Sequence, residues 1–290
     1  MPLSPAPAHE PLQPGDPAVL TQLERACIRL STPLYTGSVA WRRWGRGRPV
    51  VLLHGGTGSW RHWVHTIALL QDSHAVHVPD LPGLGDSEDL RAPASDTLVG
   101  WAVAEGIRTL LPPQEAFDLV GFSFGAVVAA HVAHSLGDRV RSLTLVGPGS
   151  LGLRRAPVRL TAWRGVPDAA RRREIHRRNL AALMIADPAR IDALAVEIQC
   201  QNTERARLKS RLVTPPDALA RVLPLLDPAR LHVIYGERDA VVGPHMQERI
   251  DLFTPLVGPH RLQLVPAAGH WVAFEQPGPF GRLLRAVVAR

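Results

Sequence analysis

A tight turn around Ser123 constrains the fold of this chain more than any other sequence feature. The turn reads Gly121-Phe122-Ser123-Phe124-Gly125 and lies between a short apolar run, residues 117–120, and an Ala- and Val-rich stretch, residues 126–136. In the order strand, sharp turn, helix, the pattern Gly-x-Ser-x-Gly raises a serine above the end of a strand. The glycines are needed because a strained turn leaves no room for neighbouring side chains. The sequence therefore predicts a parallel sheet with Ser123 at its carboxyl edge.

Strand and helix patterns alternate on both sides of this turn. The run 49–53 is continuously apolar, as expected for a strand that is buried on both faces of a parallel sheet. We predict further strands at residues 38–44, 75–78, 140–146, 231–235 and 261–265. We predict further helices at residues 18–30, 60–70, 97–111, 245–253 and 278–289. The predicted fold class is α/β, with a mostly parallel sheet flanked by helices.

The alternation stops over residues 150–226. This segment carries Arg-rich amphipathic stretches at 168–185 and 189–212 and shows no strand pattern. It is too long for an ordinary connection between neighbouring elements. We therefore predict an α/β core formed by residues 18–149 and 227–290, with residues 150–226 as an inserted helical cap. Six prolines within residues 1–17 predict a disordered arm.

The positive charge raises the question of a nucleic-acid ligand. The net charge is +7 and the sequence pI is about 10.7. The basic residues are almost all arginines, and they are scattered rather than gathered in a tail or alternated with aromatic residues. This pattern is typical of a solvated basic surface, and we expect no nucleic-acid partner.

The sequence also disfavours a membrane-spanning protein, a secreted protein and a metal-binding protein. No apolar run approaches the roughly 20 residues needed to cross a bilayer, and no basic start followed by an apolar core indicates a secretory signal. We expect a cytoplasmic protein. The cysteines Cys27 and Cys200 are isolated, which predicts neither a disulfide framework nor a metal site. We expect no cofactor.

A serine hydroxyl is a poor nucleophile unless a base accepts its proton and a carboxylate orients that base. After a turn of this kind, the acid and the histidine follow the serine along the chain. His270 fits the base because it lies in a loop just beyond the last predicted strand. Asp239 fits the acid, in the loop after strand 231–235, and Glu237 in the same loop is the alternative.

An acyl-transfer site also needs N–H groups that stabilise an oxyanion. The backbone N–H of Phe124, directly after the serine, is one expected donor. The second is expected from the glycine-rich loop that starts at His54, and we choose the N–H of Gly56. No Gly-Lys-Ser/Thr follows this loop, so a phosphate-binding loop is disfavoured. His54 is expected to be structural.

Together these motifs resemble the α/β-hydrolase superfamily. The resemblance is carried by His54-Gly55-Gly56, residues 80–87, the Ser123 turn, Gly236-Glu237-Arg238-Asp239 and Gly269-His270-Trp271, which occur in the family's order. It implies an eight-stranded, mostly parallel sheet, a lid after strand six, and a Ser123–His270–Asp239 triad without a metal. It also implies that Asp80 and Asp86 are structural.

The details of these motifs narrow the range of reactions that the resemblance allows. Serine at position 123 disfavours the chemistries of haloalkane dehalogenases and soluble epoxide hydrolases, which place Asp at the nucleophile position. Gly269-His270-Trp271 followed by Glu275 resembles the carbon–carbon bond hydrolases of ring-fission products, but Thr57 and Phe122 depart from that group's pattern. We expect hydrolysis of a small-molecule ester, lactone or related acyl substrate. Carbon–carbon cleavage of vinylogous 1,5-diketones and a non-catalytic small-ligand receptor are the alternatives.

The substrate pocket is expected between the carboxyl edge of the sheet and the cap. The candidate wall residues are Trp60, Trp163, Met184, Val241 and Trp271. Trp163 and Met184 fit equally well as residues buried between cap and core. The cap arginines Arg171, Arg172, Arg173, Arg177 and Arg178 fit either capture of a substrate carboxylate or a solvated helix face.

Overall fold

The computed structural model describes residues 15–34, 37–90 and 93–289. Its strands are β1 (Ile28–Leu34), β2 (Gly37–Trp44), β3 (Arg48–Leu53), β4 (His74–Pro79), β5 (Phe117–Phe122), β6 (Val140–Val146), β7 (Leu231–Gly236) and β8 (Leu262–Val265). They form one eight-stranded sheet in the order β1-β2-β4-β3-β5-β6-β7-β8. The β1–β2 and β2–β4 pairs are antiparallel and the other neighbours are parallel. This sheet confirms the predicted fold class.

Helices flank the sheet, and further helices lie in the chain segment that connects β6 to β7. They are α1 (Ala18–Ala26), α2 (Val64–Leu70), α3 (Asp96–Leu110), α4 (Phe124–Leu136), α5 (Ala169–Leu183), α6 (Ala193–Arg205), α7 (Ser210–Val213), α8 (Ala218–Val222), α9 (Met246–Val257), α10 (Val272–Glu275) and α11 (Pro277–Val288). A 3-10 turn, Trp60–Trp63, precedes α2. In the described ranges, none of the helices combines the length and apolar character needed to cross a membrane.

Strand β3 shows how the sheet builds two cores. Val51 and Leu53 belong to a buried cluster that also includes residues of α3 and α4. Val50 and Leu52 belong to a second cluster, which includes residues of α2 and α11. Successive side chains of a strand point to opposite faces, so a strand covered on both sides must be apolar throughout. This accounts for the continuous apolar run in the sequence.

The predicted helix at 18–30 is too long. Helix α1 ends at Ala26, Cys27 is extended, and Ile28 begins edge strand β1. The strand pairs with β2, with Ile28 opposite Arg43. Pairing with a neighbouring strand overrides the local helical spacing of this segment. The predicted arm, residues 1–17, lies outside the described residues up to position 14.

Buried His77 is expected to make the stability of the fold depend on pH below neutrality. This β4 residue is 5% exposed. Burial, and secondarily the charge of Arg43, lowers its pKa from 6.5 to about 4. The unfolded chain therefore binds a proton at a higher pH than the folded protein, and stability falls as pH drops through this window. His77 alone should lower the free energy of unfolding by about 2 kcal/mol between pH 7.5 and pH 5.

The variant His77→Gln should accordingly show a smaller loss of stability on acidification, by about 2 kcal/mol, because the titrating group is gone. Urea unfolding at the two pH values measures this difference. His134 is exposed on α4, so His134→Gln serves as the control and should keep the wild-type dependence. A His77→Gln protein with the wild-type pH dependence would contradict the assignment.

Candidate active site

The turn after β5 holds Ser123 at the carboxyl edge of the sheet. Ser123 has φ 54° and ψ −113°, a conformation that a side-chain-bearing residue adopts only under strain. Its N–H donates to the carbonyl of Val146 at 2.9 Å, which fixes the turn against β6. A Cβ at Gly125 would collide with the backbone of Leu53 and His54. Glycine is therefore required at position 125, and helix α4 starts directly after the serine.

The ends of three strands bring Ser123, His270 and Asp239 together. His270 Nε2 lies 3.0 Å from Ser123 Oγ, and His270 Nδ1 lies 2.7 Å from Asp239 Oδ2. Asp239 Oδ1 accepts the N–H groups of Val241 at 2.8 Å and Val242 at 3.4 Å. Asp239 is 1% exposed and His270 is 4% exposed. The carboxylate is thus fixed by its own loop, and it orients the imidazole towards the serine.

The alternative acid, Glu237, points elsewhere. It is exposed, and its Oε2 accepts the N–H of Ala267 at 3.3 Å. The space beside the imidazole is supplied by Gly147 at the end of β6, where a Cβ would lie 3.2 Å from the His270 ring. Gly147 has φ +52°, so a side chain there would be strained as well as crowded.

The glycine-rich loop after β3 lies beside Ser123. A Cβ at Gly55 would lie 3.4 Å from the Cβ of Ser123, and one at Gly56 would lie 3.6 Å from the Cβ of Phe124. Phe124 is the first residue of α4, and the first N–H groups of a helix have no intrahelical acceptor. The two predicted oxyanion donors, Gly56 and Phe124, are therefore neighbours at the edge of the site.

His62 supports this loop from behind, a role that the sequence reasoning missed. The N–H of Gly55 donates to His62 Nδ1 at 3.3 Å, and a Cβ at Gly58 would collide with the His62 ring. Burial, and secondarily His54 and His270, holds the pKa of His62 well below its usual value. A neutral imidazole keeps one nitrogen as an acceptor. The only sequence signal was its proximity to the loop.

His54 and Asp80 hold the base of the same loop. His54 Nδ1 lies 2.8 Å from the Gly55 carbonyl, and Nε2 accepts the N–H of Leu81 at 2.9 Å. Buried Asp80 accepts the N–H of Trp60 at 2.8 Å. These three contacts fit the structural roles expected for His54 and Asp80.

Helix α7 covers the corner formed by Gly56 and Phe124. A Cβ at Gly56 would collide with Oγ of Ser210, the first residue of α7. Sequence reasoning missed Ser210 because the contact joins residues that are far apart along the chain. No local pattern in the sequence predicts the contact between Ser210 and Gly56.

The predicted pocket residues occupy different places. Val241 lines a small cavity together with Asp239. Trp60, Met184 and Trp271 lie buried in the second core cluster. Trp163 packs within the inserted segment, with the centre of its ring 5.1 Å from that of the His176 ring and the two planes tilted by 50°. Of the predicted wall residues, the structure brings Val241 next to Asp239 and packs Trp60, Met184 and Trp271 into the protein interior.

Met184 and Trp271 join the His270 loop to the inserted helices. The N–H of Trp271 donates to the Met184 carbonyl at 2.7 Å, and its indole N–H donates to the His62 carbonyl at 2.9 Å. Glu275 continues this junction. Its carboxylate accepts the N–H groups of Gly269 at 2.7 Å, Ala186 at 3.0 Å and Asp187 at 2.7 Å. The loop that carries His270 is therefore anchored from two sides.

The arginines on α5 mostly have partners within the inserted segment. Arg173 pairs with Glu197 at 2.6 Å, and Arg178 pairs with Glu174 at 3.0 Å. The side chains of Arg172 and Arg177 donate to backbone carbonyls of the segment. These contacts favour the interpretation of α5 as a solvated helix face over capture of a substrate.

Known proteins share this architecture and parts of this sequence. The model of the alpha/beta hydrolase family matches residues 50–283. A pimeloyl-[acyl-carrier protein] methyl ester esterase from Vibrio campbellii is 32% identical over 126 residues, which are 43% of this chain and 45% of that esterase. The chain thus matches slightly less than half the length of that relative.

Two further proteins match most of the chain. A 2-hydroxy-6-oxo-2,4-heptadienoate hydrolase from Pseudomonas putida is 25% identical over 84% of this chain and 90% of that hydrolase. The solved structure of a mutant meta-cleavage product hydrolase from Pseudomonas fluorescens has a TM-score of 0.70 at 22% identity, over 89% of this chain and 96% of that one. The structural likeness shows the fold.

Proposed function

The chain belongs to the alpha/beta hydrolase family, and from that premise we propose that it hydrolyses a carboxylic ester, lactone or related acyl substrate by serine catalysis. One observation carries the proposal. Ser123 Oγ, the His270 imidazole and the Asp239 carboxylate form one chain of contacts at 3.0 Å and 2.7 Å. This is the geometry of a nucleophile, a base and a group that orients the base.

Each residue has a distinct task in the proposed reaction. His270 accepts the Ser123 hydroxyl proton while Oγ attacks the substrate carbonyl carbon. The N–H groups of Phe124 and Gly56 stabilise the oxyanion. His270 then donates the proton to the leaving alcohol, which departs as the acyl-enzyme forms. Water, deprotonated by the same imidazole, attacks the acyl-enzyme and releases the acid and free Ser123.

We propose that residues 150–226 act as a cap over this site. The contact of Ser210 with Gly56 supports this, because it sets an inserted helix directly against the proposed oxyanion donors. The junction between Met184 and Trp271 joins the same segment to the His270 loop. Substrate would therefore be enclosed between the cap and the carboxyl edge of the sheet.

Carbon–carbon bond hydrolysis is the second candidate. The relative that spans 84% of this chain is a 2-hydroxy-6-oxo-2,4-heptadienoate hydrolase, whereas the esterase match spans 43%. Two residues argue against carbon–carbon cleavage, because Thr57 and Phe122 depart from the motif pattern of the carbon–carbon bond hydrolases. The ester assignment is therefore placed first.

Initial rates on matched substrates separate the two reactions. The substrates are p-nitrophenyl esters, lactones and a vinylogous 1,5-diketone acid. We expect the highest kcat/KM on an ester or lactone. A protein that cleaves the diketone and leaves all esters and lactones intact would overturn the ester assignment in favour of the second candidate.

A further inference from the structure

The hydroxyl of Ser210, in the inserted segment, lies against the loop that carries one of the proposed oxyanion donors. We propose that this hydroxyl is a third donor to the oxyanion, beside the N–H groups of Gly56 and Phe124, so that helix α7 takes part in the reaction. The inference rests on the proposed function, because it takes the Ser123 site as the place where the oxyanion forms.

The backbone of Gly56 locates the Ser210 hydroxyl. The three atoms nearest to a Cβ added at Gly56 are Oγ of Ser210, Cβ of Ser210 at 3.1 Å and Cβ of Phe124 at 3.6 Å. The Ser210 Oγ is the nearest of the three and would collide with the added carbon. The hydroxyl therefore lies against the Gly56 backbone, on the side that also faces Phe124, whose N–H is the other proposed donor.

The chain just before α7 is bonded to the core, and this holds Ser210 in place. The N–H groups of Arg207 and Leu208 both donate to the carbonyl of Gly83, at 3.0 Å and 2.9 Å. The guanidinium of Arg207 also pairs with Asp89 at 2.7 Å. Two residues that shortly precede Ser210 are thus fixed to one core carbonyl, so the serine is held close to the sheet.

The Ser210 hydroxyl has no acceptor within the described protein. Over residues 15–34, 37–90 and 93–289, its Oγ forms no hydrogen bond with another residue, and the side chain is half-buried. Ser59 differs, because its buried hydroxyl donates to Oδ1 of Asn202 on α6 at 2.6 Å. A serine hydroxyl carries one donor proton and rotates to suit its acceptor. An acceptor on the substrate fits the Ser210 proton.

The oxyanion is the substrate acceptor that gains most from such a donor. Negative charge develops on the carbonyl oxygen only as Ser123 attacks, and a hydrogen bond to a charged acceptor is stronger than one to a neutral acceptor. A donor at this place stabilises the transition state more than the bound substrate, and it therefore raises kcat rather than lowering KM. The contact would also make the chemical step depend on the position of the inserted segment.

Ser210→Ala tests the proposal, because it removes the hydroxyl and adds no bulk. We expect kcat for a p-nitrophenyl ester to fall roughly 10- to 100-fold, the range that corresponds to one hydrogen bond to a charged group, with little change in KM. Thr161→Ala removes an exposed hydroxyl from the same inserted segment and should retain both wild-type constants. Circular dichroism shows whether each variant is folded.

Two matched ketones separate stabilisation of the oxyanion from a merely structural role of Ser210. Hexyl trifluoromethyl ketone forms a tetrahedral adduct with a nucleophilic serine and so sets an oxyanion in the site, whereas hexyl methyl ketone binds as a neutral carbonyl compound. In Ser210→Ala, the inhibition constant of the fluorinated ketone should rise by about the factor by which kcat/KM falls. The inhibition constant of the methyl ketone should hardly change.

Two results overturn the role of Ser210 without affecting the proposed function. One is a folded Ser210→Ala protein with wild-type kcat. The other is a loss that appears in KM and weakens both ketones equally, because the hydroxyl would then support substrate binding rather than the oxyanion. Failure of the proposed function has a different signature, since the folded wild type would then hydrolyse no ester.

Discussion

Ser123→Ala is expected to lower kcat/KM for the best ester substrate by about 10³-fold or more, the scale seen when a triad nucleophile is removed. The substitution deletes the hydroxyl oxygen that lies 3.0 Å from His270 Nε2 and that attacks the substrate in the proposed mechanism. The loss should fall on kcat, because the acyl-enzyme cannot form. Initial rates with a p-nitrophenyl ester measure the effect.

A second serine variant serves as the control for Ser123→Ala. Ser135 is exposed near the end of α4, the helix that begins directly after Ser123. Ser135→Ala should retain wild-type kcat/KM, and circular dichroism should show that both variants are folded. A folded Ser123→Ala protein with wild-type turnover would rule out Ser123 as the nucleophile.

Asp239→Asn is expected to lower kcat by about 10⁴-fold, the loss that follows when the orienting carboxylate of such a triad becomes an amide. Asp239 Oδ1 already accepts the N–H groups of Val241 and Val242, so the amide NH₂ must face His270. An amide donor there requires Nδ1 to be the acceptor, which leaves the proton on Nε2. That tautomer cannot accept the Ser123 proton.

The neighbouring acid provides the control for this variant. Glu237→Gln makes the same chemical change two residues away in the same loop, at an exposed position. We expect it to change kcat less than twofold, on the scale of an ordinary surface substitution. A large loss in Glu237→Gln combined with a mild effect of Asp239→Asn would reverse the assignment of the acid.

Local patterns were sufficient where a residue's neighbours in sequence are also its neighbours in space. The run 49–53 predicted a strand that is buried on both faces, and the glycines around Ser123 predicted a strained turn between β5 and α4. The chain order of serine, acid and histidine then selected the residues that the structure brings within 3.0 Å and 2.7 Å of one another. Their catalytic roles remain predictions.

Patterns were insufficient where distant segments meet. Pairing of β1 with β2 decided the end of α1, because a sheet partner is absent from the local spacing that predicted a longer helix. The contact between Ser210 and Gly56 depends on how the inserted segment folds back over the sheet. The large apolar residues Trp60 and Trp271 were expected to line a pocket, but aromatic side chains fill interiors equally well.

Covalent labelling with a fluorophosphonate, followed by peptide mass spectrometry, is the direct test of whether Ser123 is the nucleophile. We expect a single adduct on the peptide that contains Ser123, formed rapidly by the wild type and absent from the Ser123→Ala protein. Labelling of the Asp239→Asn protein should be much slower, because His270 is then poorly oriented to activate the hydroxyl. A folded wild-type protein that remains unlabelled, or is labelled at another residue, would contradict serine catalysis at this site.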